Sequence, residues 1–139
     1  MELGQINRGS FAGEALFQLA AHPNNKVFVE IGSWNGRGST KCIMDALIER
    51  LDESYLISLE TDKRFFDSAN NFWREQLLPY SSIVKDKLRL SHGKIIDTTD
   101  MISIEEIMKS EFAIESYRQW YADDIANMST APNLFDTLP

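Results

Sequence analysis

Residues 27–38 read Val-Phe-Val-Glu-Ile-Gly-Ser-Trp-Asn-Gly-Arg-Gly, and this stretch decides the fold. Its first half is β-branched and aromatic, which predicts a strand over 26–31. The strand stops at Gly32, and a glycine-bearing loop runs to Gly38, where a helix with a period near 3.6 begins. A strand, a glycine loop and a helix in this order predict the first unit of a parallel α/β sheet.

The same alternation continues toward the carboxyl terminus. Further strands are predicted at 55–59 and 87–90, and helices at 10–21, 39–51 and 63–78. Residues 103–128 are predicted to form one long helix or two shorter ones. Right-handed helical crossovers lay such strands side by side in the order 3-2-1. We therefore expect a single Rossmann-like domain over 1–139, in a three-layer α/β/α arrangement whose parallel sheet has about three strands.

Composition limits the class of partner. The chain has 139 residues, a formal net charge of −7 and one cysteine. A negative chain lacks the positive field that nucleic acids and anionic membranes require, so neither is expected as a partner. A lone cysteine excludes an intrachain disulfide and a cysteine-based metal cluster, and no metal is expected. The chain shows no signal peptide and no apolar run near the roughly 20 residues that span a bilayer, which favours a cytoplasmic location.

Candidate binding residues follow each predicted strand, because a parallel sheet opens its binding crevice at the carboxyl ends of its strands. They are Glu30, Gly32, Gly36 and Gly38 after the first strand, Glu60 after the second, and His92 and Gly93 after the third. Glycines allow a tight turn and a close approach of ligand to backbone. The helix that begins near Gly38 offers free N–H groups to a carboxylate or a phosphate.

The glycine spacing separates two cofactor classes. A dinucleotide site has the pattern G-x-G-x-x-G, whereas three residues separate Gly32 from Gly36 here and one separates Gly36 from Gly38. Glu30 stands two positions before the first glycine, where it would repel a pyrophosphate. An acid suits a ligand with a cationic sulfonium or ammonium group. A nucleotide-dependent oxidoreductase is therefore disfavoured.

The segment Val-Glu-Ile-Gly-Ser-Trp-Asn-Gly-Arg-Gly resembles motif I of the class I S-adenosylmethionine-dependent methyltransferases. Its form E-I-G-x-x-x-G is similar to that of the small-molecule O-methyltransferases. The segment Leu-Ile-Ser-Leu-Glu-Thr-Asp at 56–62 resembles motif II, and the resemblance covers about residues 26–97. It implies S-adenosylmethionine as the cofactor and a small-molecule substrate that is methylated on a hydroxyl.

The resemblance also implies roles for residues around the first loop. Glu30 would lie near the methionine amino group, directly or through water. Gly32, Ser33 and Trp34 would line the methionine and ribose side of the cofactor. Gly36 would let the loop approach closely. For Trp34, a loop aromatic that covers the core is the structural alternative.

Gly38 and the ends of the second and third strands complete the expected cofactor site. The resemblance implies that Glu60 binds the ribose hydroxyls and that Thr61 lies beside the adenine. His92 and Gly93 would lie where the family often contacts adenine. A solvated strand-end acid for Glu60 and a satisfied loop histidine for His92 remain the structural alternatives.

No sequence pattern indicates the strands of the second half of the expected fold. After residue 103 the chain reads mainly as helix, with no catalytic-base motif and no fourth strand. We therefore expect a methyltransferase-like domain that is incomplete at its carboxyl terminus, with a non-catalytic nucleoside-binding or assembly module as the alternative. Without strand four, strand one would keep an open edge of unpaired backbone groups. A homo-oligomer, or a carboxyl-terminal segment, is expected to cover that edge.

Other residues have ordinary structural interpretations. Ser10 and Asp62 are the expected helix N-caps. Cys42 is expected as a small core residue, and Leu51 is expected on the apolar face of its helix. Charged side chains expected to be solvated are Lys85, Lys87, Arg89, Lys94, Asp123 and Asp124. Aromatic side chains expected in the core or in an interface, rather than in an acceptor pocket, are Tyr117, Trp120 and Tyr121.

Overall fold

The computed structural model describes residues 5–75 and 81–138. Its strands are β1 (Val27–Ile31), β2 (Tyr55–Glu60) and β3 (Leu88–His92). Its α-helices are α1 (Phe11–Ala21), α2 (Ser39–Leu47), α3 (Lys63–Glu75), α4 (Ser81–Lys87), α5 (Ile104–Lys109) and α6 (Arg118–Thr130). The predicted continuation of α3 over 76–78 lies outside the described residues. Within the described ranges, no helix is long and apolar enough to cross a membrane.

The strands form one parallel sheet in which β2 lies between β1 and β3. This arrangement confirms the predicted α/β class and the strand order 3-2-1. Val29 pairs with Ile57, and Ile57 pairs with Arg89 in turn. Because the strands are parallel, their carboxyl ends meet at one edge of the sheet, where Glu60 is in register with His92.

The main core lies on one face of the sheet. Even-numbered strand residues point to this face, because successive side chains of a strand alternate between the two sides. Helices α1 to α4 supply the side chains that pack against them. The buried cluster consists of Ala20, Ile43, Met44, Ala46, Leu47, Leu56, Phe72, Trp73, Val84 and Leu88. This helical layer fixes the positions from which the loops at the carboxyl edge start.

Local capping follows the prediction. Ser10 Oγ accepts a hydrogen bond from the backbone N–H of Gly13 at 3.1 Å. Asp62 Oδ1 accepts one from the backbone N–H of Arg64 at 2.9 Å. Both expected N-caps are thereby confirmed. Cys42 is buried in α2 as expected, and burial raises the pKa of its thiol.

The prediction for Leu51 is wrong. Helix α2 ends at Leu47, so Leu51 lies in the following loop and is fully exposed. The loop is held by Arg50, whose guanidinium donates to the backbone carbonyls of Ala20 and Asn25. These contacts with the segment before β1 fix the turn into β2, and local apolar spacing does not reveal them.

A polar network at the amino edge of the sheet centres on Asp52. Its carboxylate accepts hydrogen bonds from Arg50 at 2.6 Å, Lys26 at 2.5 Å and Ser54 at 2.5 Å. These donors, with Arg50 the strongest, hold the pKa of Asp52 far below its usual 3.8. Lys87 Nζ donates to the Asp52 carbonyl and is buried, so the expectation that Lys87 is solvated is wrong.

Replacing Asp52 with Asn should lower the free energy of unfolding at neutral pH, because three donors lose their charged acceptor. The ionised carboxylate contributes fully above pH 3.8, and its contribution is lost as pH falls below that value toward the depressed folded-state pKa. The difference between wild type and Asp52→Asn should therefore shrink in acid. Urea unfolding at several pH values measures it. The exposed substitution Glu53→Gln is the control, and a pH-independent difference would contradict the assignment.

Lys94 fastens α6 and the following segment to the end of β3. Its Nζ donates to Thr98 Oγ1 at 2.8 Å and to the Met128 carbonyl in the last turn of α6 at 2.5 Å. A cation at this end complements the helix dipole. The backbone of Lys94 bridges to Asn133. Lys94 is therefore buried rather than solvated, and the segment at 132–134 lies beside Lys94 instead of covering the edge of β1.

Candidate functional site

The loop after β1 is shaped by backbone conformations in the left-handed region. Gly32 has φ +88° and Gly36 has φ +74°, and Trp34 adopts φ +49° without being glycine. Such a conformation costs a non-glycine residue on the order of 1 kcal/mol or more and persists only where the surroundings impose it. Here the backbone N–H groups of Gly32 and Ser33 both donate to the Leu59 carbonyl. The loop is thereby folded over the carboxyl end of β2.

Glu30 lies beneath this loop, and hydroxyl groups surround its carboxylate. It accepts hydrogen bonds from Ser39 Oγ at 2.5 Å, Thr40 Oγ1 at 2.6 Å and Ser58 Oγ at 2.5 Å. Glu30 is buried and does not line the cavity described below. Its carboxylate therefore joins β1 to the first turn of α2 and to β2, and so positions the amino end of α2.

Glu60, the predicted ribose acid, holds the loop from the other side. Its Oε2 accepts from the backbone N–H of Trp34 at 2.7 Å, and its Oε1 accepts from that of Asp62 at 2.8 Å. Burial raises the pKa of this carboxyl group above its usual value, although the two backbone donors oppose the shift. Glu60 is thus a buried acid at the end of β2 rather than a solvated one.

Gly36 is turned toward α3. A Cβ atom at this position would lie 2.8 Å from Trp73 Nε1 and 3.0 Å from Ala69 Cβ. Trp73 Nε1 also donates to the Gly36 carbonyl at 3.0 Å. The close approach that this glycine allows is therefore an approach to α3, and Gly36 supports the loop from behind.

A cavity of about 840 Å³ opens at the carboxyl ends of β1 and β2. Gly32, Ser33, Trp34 and Gly38 line it, as the sequence predicts. A Cβ atom at Gly32 would meet nothing within 4 Å, so the backbone is open on this side. The structure thus brings four predicted residues to one cavity wall.

Two hydrogen-bonding features of this wall, a serine hydroxyl and the start of a helix, have no side-chain partner among the described residues. Ser33 is 4% exposed, and its Oγ has no hydrogen-bond partner. Helix α2 begins after Gly38 with no side-chain cap, although a helix start carries free N–H groups. A buried hydroxyl without a partner costs about 1–3 kcal/mol. Both features are typical of a wall that binds a polar ligand.

A second cavity of about 370 Å³ adjoins the first through Gly32. Thr61 and Gly93 line it, at the ends of β2 and β3. His92 lies outside both cavities: its Nε2 is 3.1 Å from the Thr61 carbonyl oxygen, and its ring packs 5.8 Å from that of Phe66. His92 is therefore a satisfied histidine that supports the turn after β2.

Helix α6 forms the wall of the first cavity opposite the glycine loop. Trp120, Asp123 and Asn127 line it from one face of this helix. Asn127 Nδ2 donates to Asp62 Oδ2 at 3.2 Å and so connects α6 to the start of α3. The spacing of the three residues, i, i+3 and i+7, places them on one helix face, but no local signal shows that this face borders the cavity.

The aromatic residues at and just before the start of α6 are not in the core, so of the expected core or interface position only the interface alternative stays a prediction. Tyr117, Trp120 and Tyr121 are all exposed. The rings of Trp120 and Tyr117 stack with their centroids 5.0 Å apart. This stacking orients the ring of Trp120, a residue that is 64% exposed at the mouth of the cavity. Across the cavity, the rings of Trp34 and Phe65 lie 5.9 Å apart. Aromatic surface therefore lines both sides of the opening.

Comparison with known proteins assigns this chain to no family. No protein-family model matches the chain, and no curated protein sequence matches it.

If Glu30 positions α2, then Glu30→Gln should lower the free energy of unfolding by about 1–3 kcal/mol, because hydroxyl donors lose a charged acceptor. Urea unfolding at neutral pH measures this change. Glu49→Gln is the matched control, since Glu49 is exposed in the turn that follows α2. Equal unfolding midpoints for wild type and Glu30→Gln would contradict the positioning role.

Proposed function

We propose that this chain binds S-adenosylmethionine at the carboxyl edge of its sheet and serves methyl transfer to a hydroxyl group of a small molecule. One observation carries the proposal. The unpartnered Ser33 hydroxyl and the uncapped start of α2 share a wall of the 840 Å³ cavity. A ligand with a carboxylate and further polar groups would satisfy both features.

The residues present fit the methionine end of this cofactor. Free N–H groups at a helix start favour an anion, which suits a carboxylate near Gly38. Ser33 Oγ can donate or accept one further hydrogen bond. The carboxylate of Asp123 faces the same cavity and would attract a sulfonium charge, whereas that of Asp62 is paired with the guanidinium of Arg64, which also lines the cavity. A ligand carboxylate near Gly38 and a cationic group near Asp123 would thus lie on opposite walls of the cavity.

Glu60 is buried and lines neither cavity, so its proposed part on the ribose side of the cofactor is to hold the loop after β1 in place. Each carboxylate oxygen can accept two hydrogen bonds, and each uses one on a backbone N–H of Trp34 or Asp62. Trp34 adds a ring beside Phe65 that offers a flat apolar surface to a planar group.

When bound, S-adenosylmethionine supplies an electrophilic methyl group. The protein's part is then to orient donor and acceptor and to exclude water. Trp120 and Phe65 line the cavity where an acceptor ring could lie against them. The nearby Asp123 offers a hydrogen-bond acceptor to a substrate hydroxyl. We assign it no role in proton transfer.

The proposal is tested by calorimetric titration with S-adenosylmethionine and S-adenosylhomocysteine. Ser33→Ala should weaken binding about fivefold, since one hydrogen bond of about 1 kcal/mol is lost. Glu60→Gln should weaken binding of either ligand by about tenfold or more, because the backbone N–H groups that hold the loop lose a charged acceptor. Ser82→Ala is the control, because Ser82 is exposed on α4 and lies outside these cavities.

The possible outcomes separate the alternatives. Absence of heat with both ligands would overturn the proposal. NAD binding in place of both would favour a nucleotide-dependent oxidoreductase. If Ser33→Ala and Glu60→Gln both leave cofactor binding unchanged, the cofactor does not bind at the loop after β1, and the proposed site is wrong.

A further inference from the structure

Asn35 and Gly36 form the only asparagine–glycine pair in the sequence. In such a pair the backbone nitrogen of the glycine can attack the side-chain amide carbon of the asparagine, because glycine has no Cβ atom to hinder the approach. Packing demands a glycine at this position, since a Cβ atom there would lie 2.8 Å from Trp73 Nε1. The loop after β1 therefore contains a chemically labile pair that its own packing requires.

The folded loop holds both groups that would react. The backbone N–H of Gly36 donates to the Ser33 carbonyl at 2.9 Å. Asn35 Oδ1 accepts a hydrogen bond from the backbone N–H of Arg37 at 3.1 Å. Asn35 is also only 7% exposed, so water has little access to it. The attacking nitrogen and the carbonyl group that it would attack are thus each engaged with a different partner.

A third contact fixes the far side of Gly36. Trp73 Nε1 donates to the Gly36 carbonyl at 3.0 Å, and Trp73 is buried in the core. The reaction therefore requires an opening of the loop that breaks the contacts of Gly36 with Ser33 and Trp73. Such an opening can be local and can leave the sheet folded.

We propose that Asn35 is a deamidation site that the closed loop protects, and that the reaction proceeds through local opening of this loop. In the open loop the Gly36 nitrogen attacks Asn35 Cγ and gives up its proton to solvent. The C–N bond to Nδ2 breaks and ammonia leaves, which yields a cyclic imide. Water then adds to either imide carbonyl, and the ring opens to aspartate or isoaspartate. This proposal does not depend on the binding of S-adenosylmethionine.

Both products alter the loop. Each adds one negative charge to the formal −7 of the chain. Isoaspartate also lengthens the backbone by one atom between residue 35 and the Gly36 nitrogen. The longer path displaces Gly36 from the Ser33 carbonyl and from Trp73, the two contacts that shape this part of the loop. Deamidation therefore loosens the cavity wall to which Ser33 and Trp34 belong.

Peptide mapping by mass spectrometry tests the site after incubation at mildly alkaline pH. In guanidinium chloride, Asn35 should deamidate faster than every other asparagine of the chain. In the folded chain it should react about tenfold more slowly or less, because only the open fraction reacts. Trp73→Phe should accelerate the folded reaction about fivefold, since one hydrogen bond to Gly36 is lost. Leu88→Val, buried at the amino end of β3, is the control for general destabilisation and should leave the rate unchanged.

Hydrogen exchange of the Gly36 amide measures the same opening in the wild-type chain, so this test requires no variant to fold. The protection factor of this amide should match the ratio of the unfolded to the folded deamidation rate. A mismatch of more than about tenfold would overturn the proposal. Equal rates in the folded and unfolded chain, or no preference for Asn35 in guanidinium chloride, would overturn it too. Acceleration by Leu88→Val as large as that by Trp73→Phe would assign the reaction to global unfolding and contradict local opening.

Discussion

The carboxylate of Glu30 is the constraint on which the site depends. A carboxylate removed from water is stable only when hydrogen bonds replace its hydration. Three hydroxyl groups do so here, and they belong to α2 and to β2. One buried charge therefore fixes where α2 begins relative to two strands. The positions of Gly38 and of the free N–H groups behind it follow from that anchor.

With both ends of the loop fixed, its interior has little freedom. Trp34 is held by Glu60 on the β2 side, and Gly36 is held by Trp73 on the α3 side. These contacts impose the left-handed conformation of Trp34 and repay part of its strain. The unused hydrogen-bonding capacity of Ser33 is a result of the same folding, because the loop is too constrained for that hydroxyl to reach a partner among the described residues.

Local sequence signals predicted the alternation of strands and helices, the strand order and the N-caps, because each depends on neighbouring residues. They also placed Gly32 and Ser33 at the cavity. The predictions were wrong where contacts between distant residues determine which side chains are buried. Lys87 and Lys94 are buried because they donate to remote carbonyl groups. Leu51 is exposed because the hydrogen bonds of Arg50 hold the loop after α2. Helix α4 carries no strong periodic signal and had no prediction. The wall formed by α6 required knowledge of where that helix packs.

The two walls of the main cavity differ in how firmly they are held. The glycine loop is bonded to the sheet and to α3, whereas α6 is connected to the rest of the site through Asn127 and through the Lys94 contact at Met128. Both attachments lie near the carboxyl end of α6, and Trp120 lies two turns away. Hydrogen bonds to the sheet side of the site are therefore made by the carboxyl end of α6, whereas at the mouth of the crevice the ring of Trp120 is positioned by stacking on Tyr117.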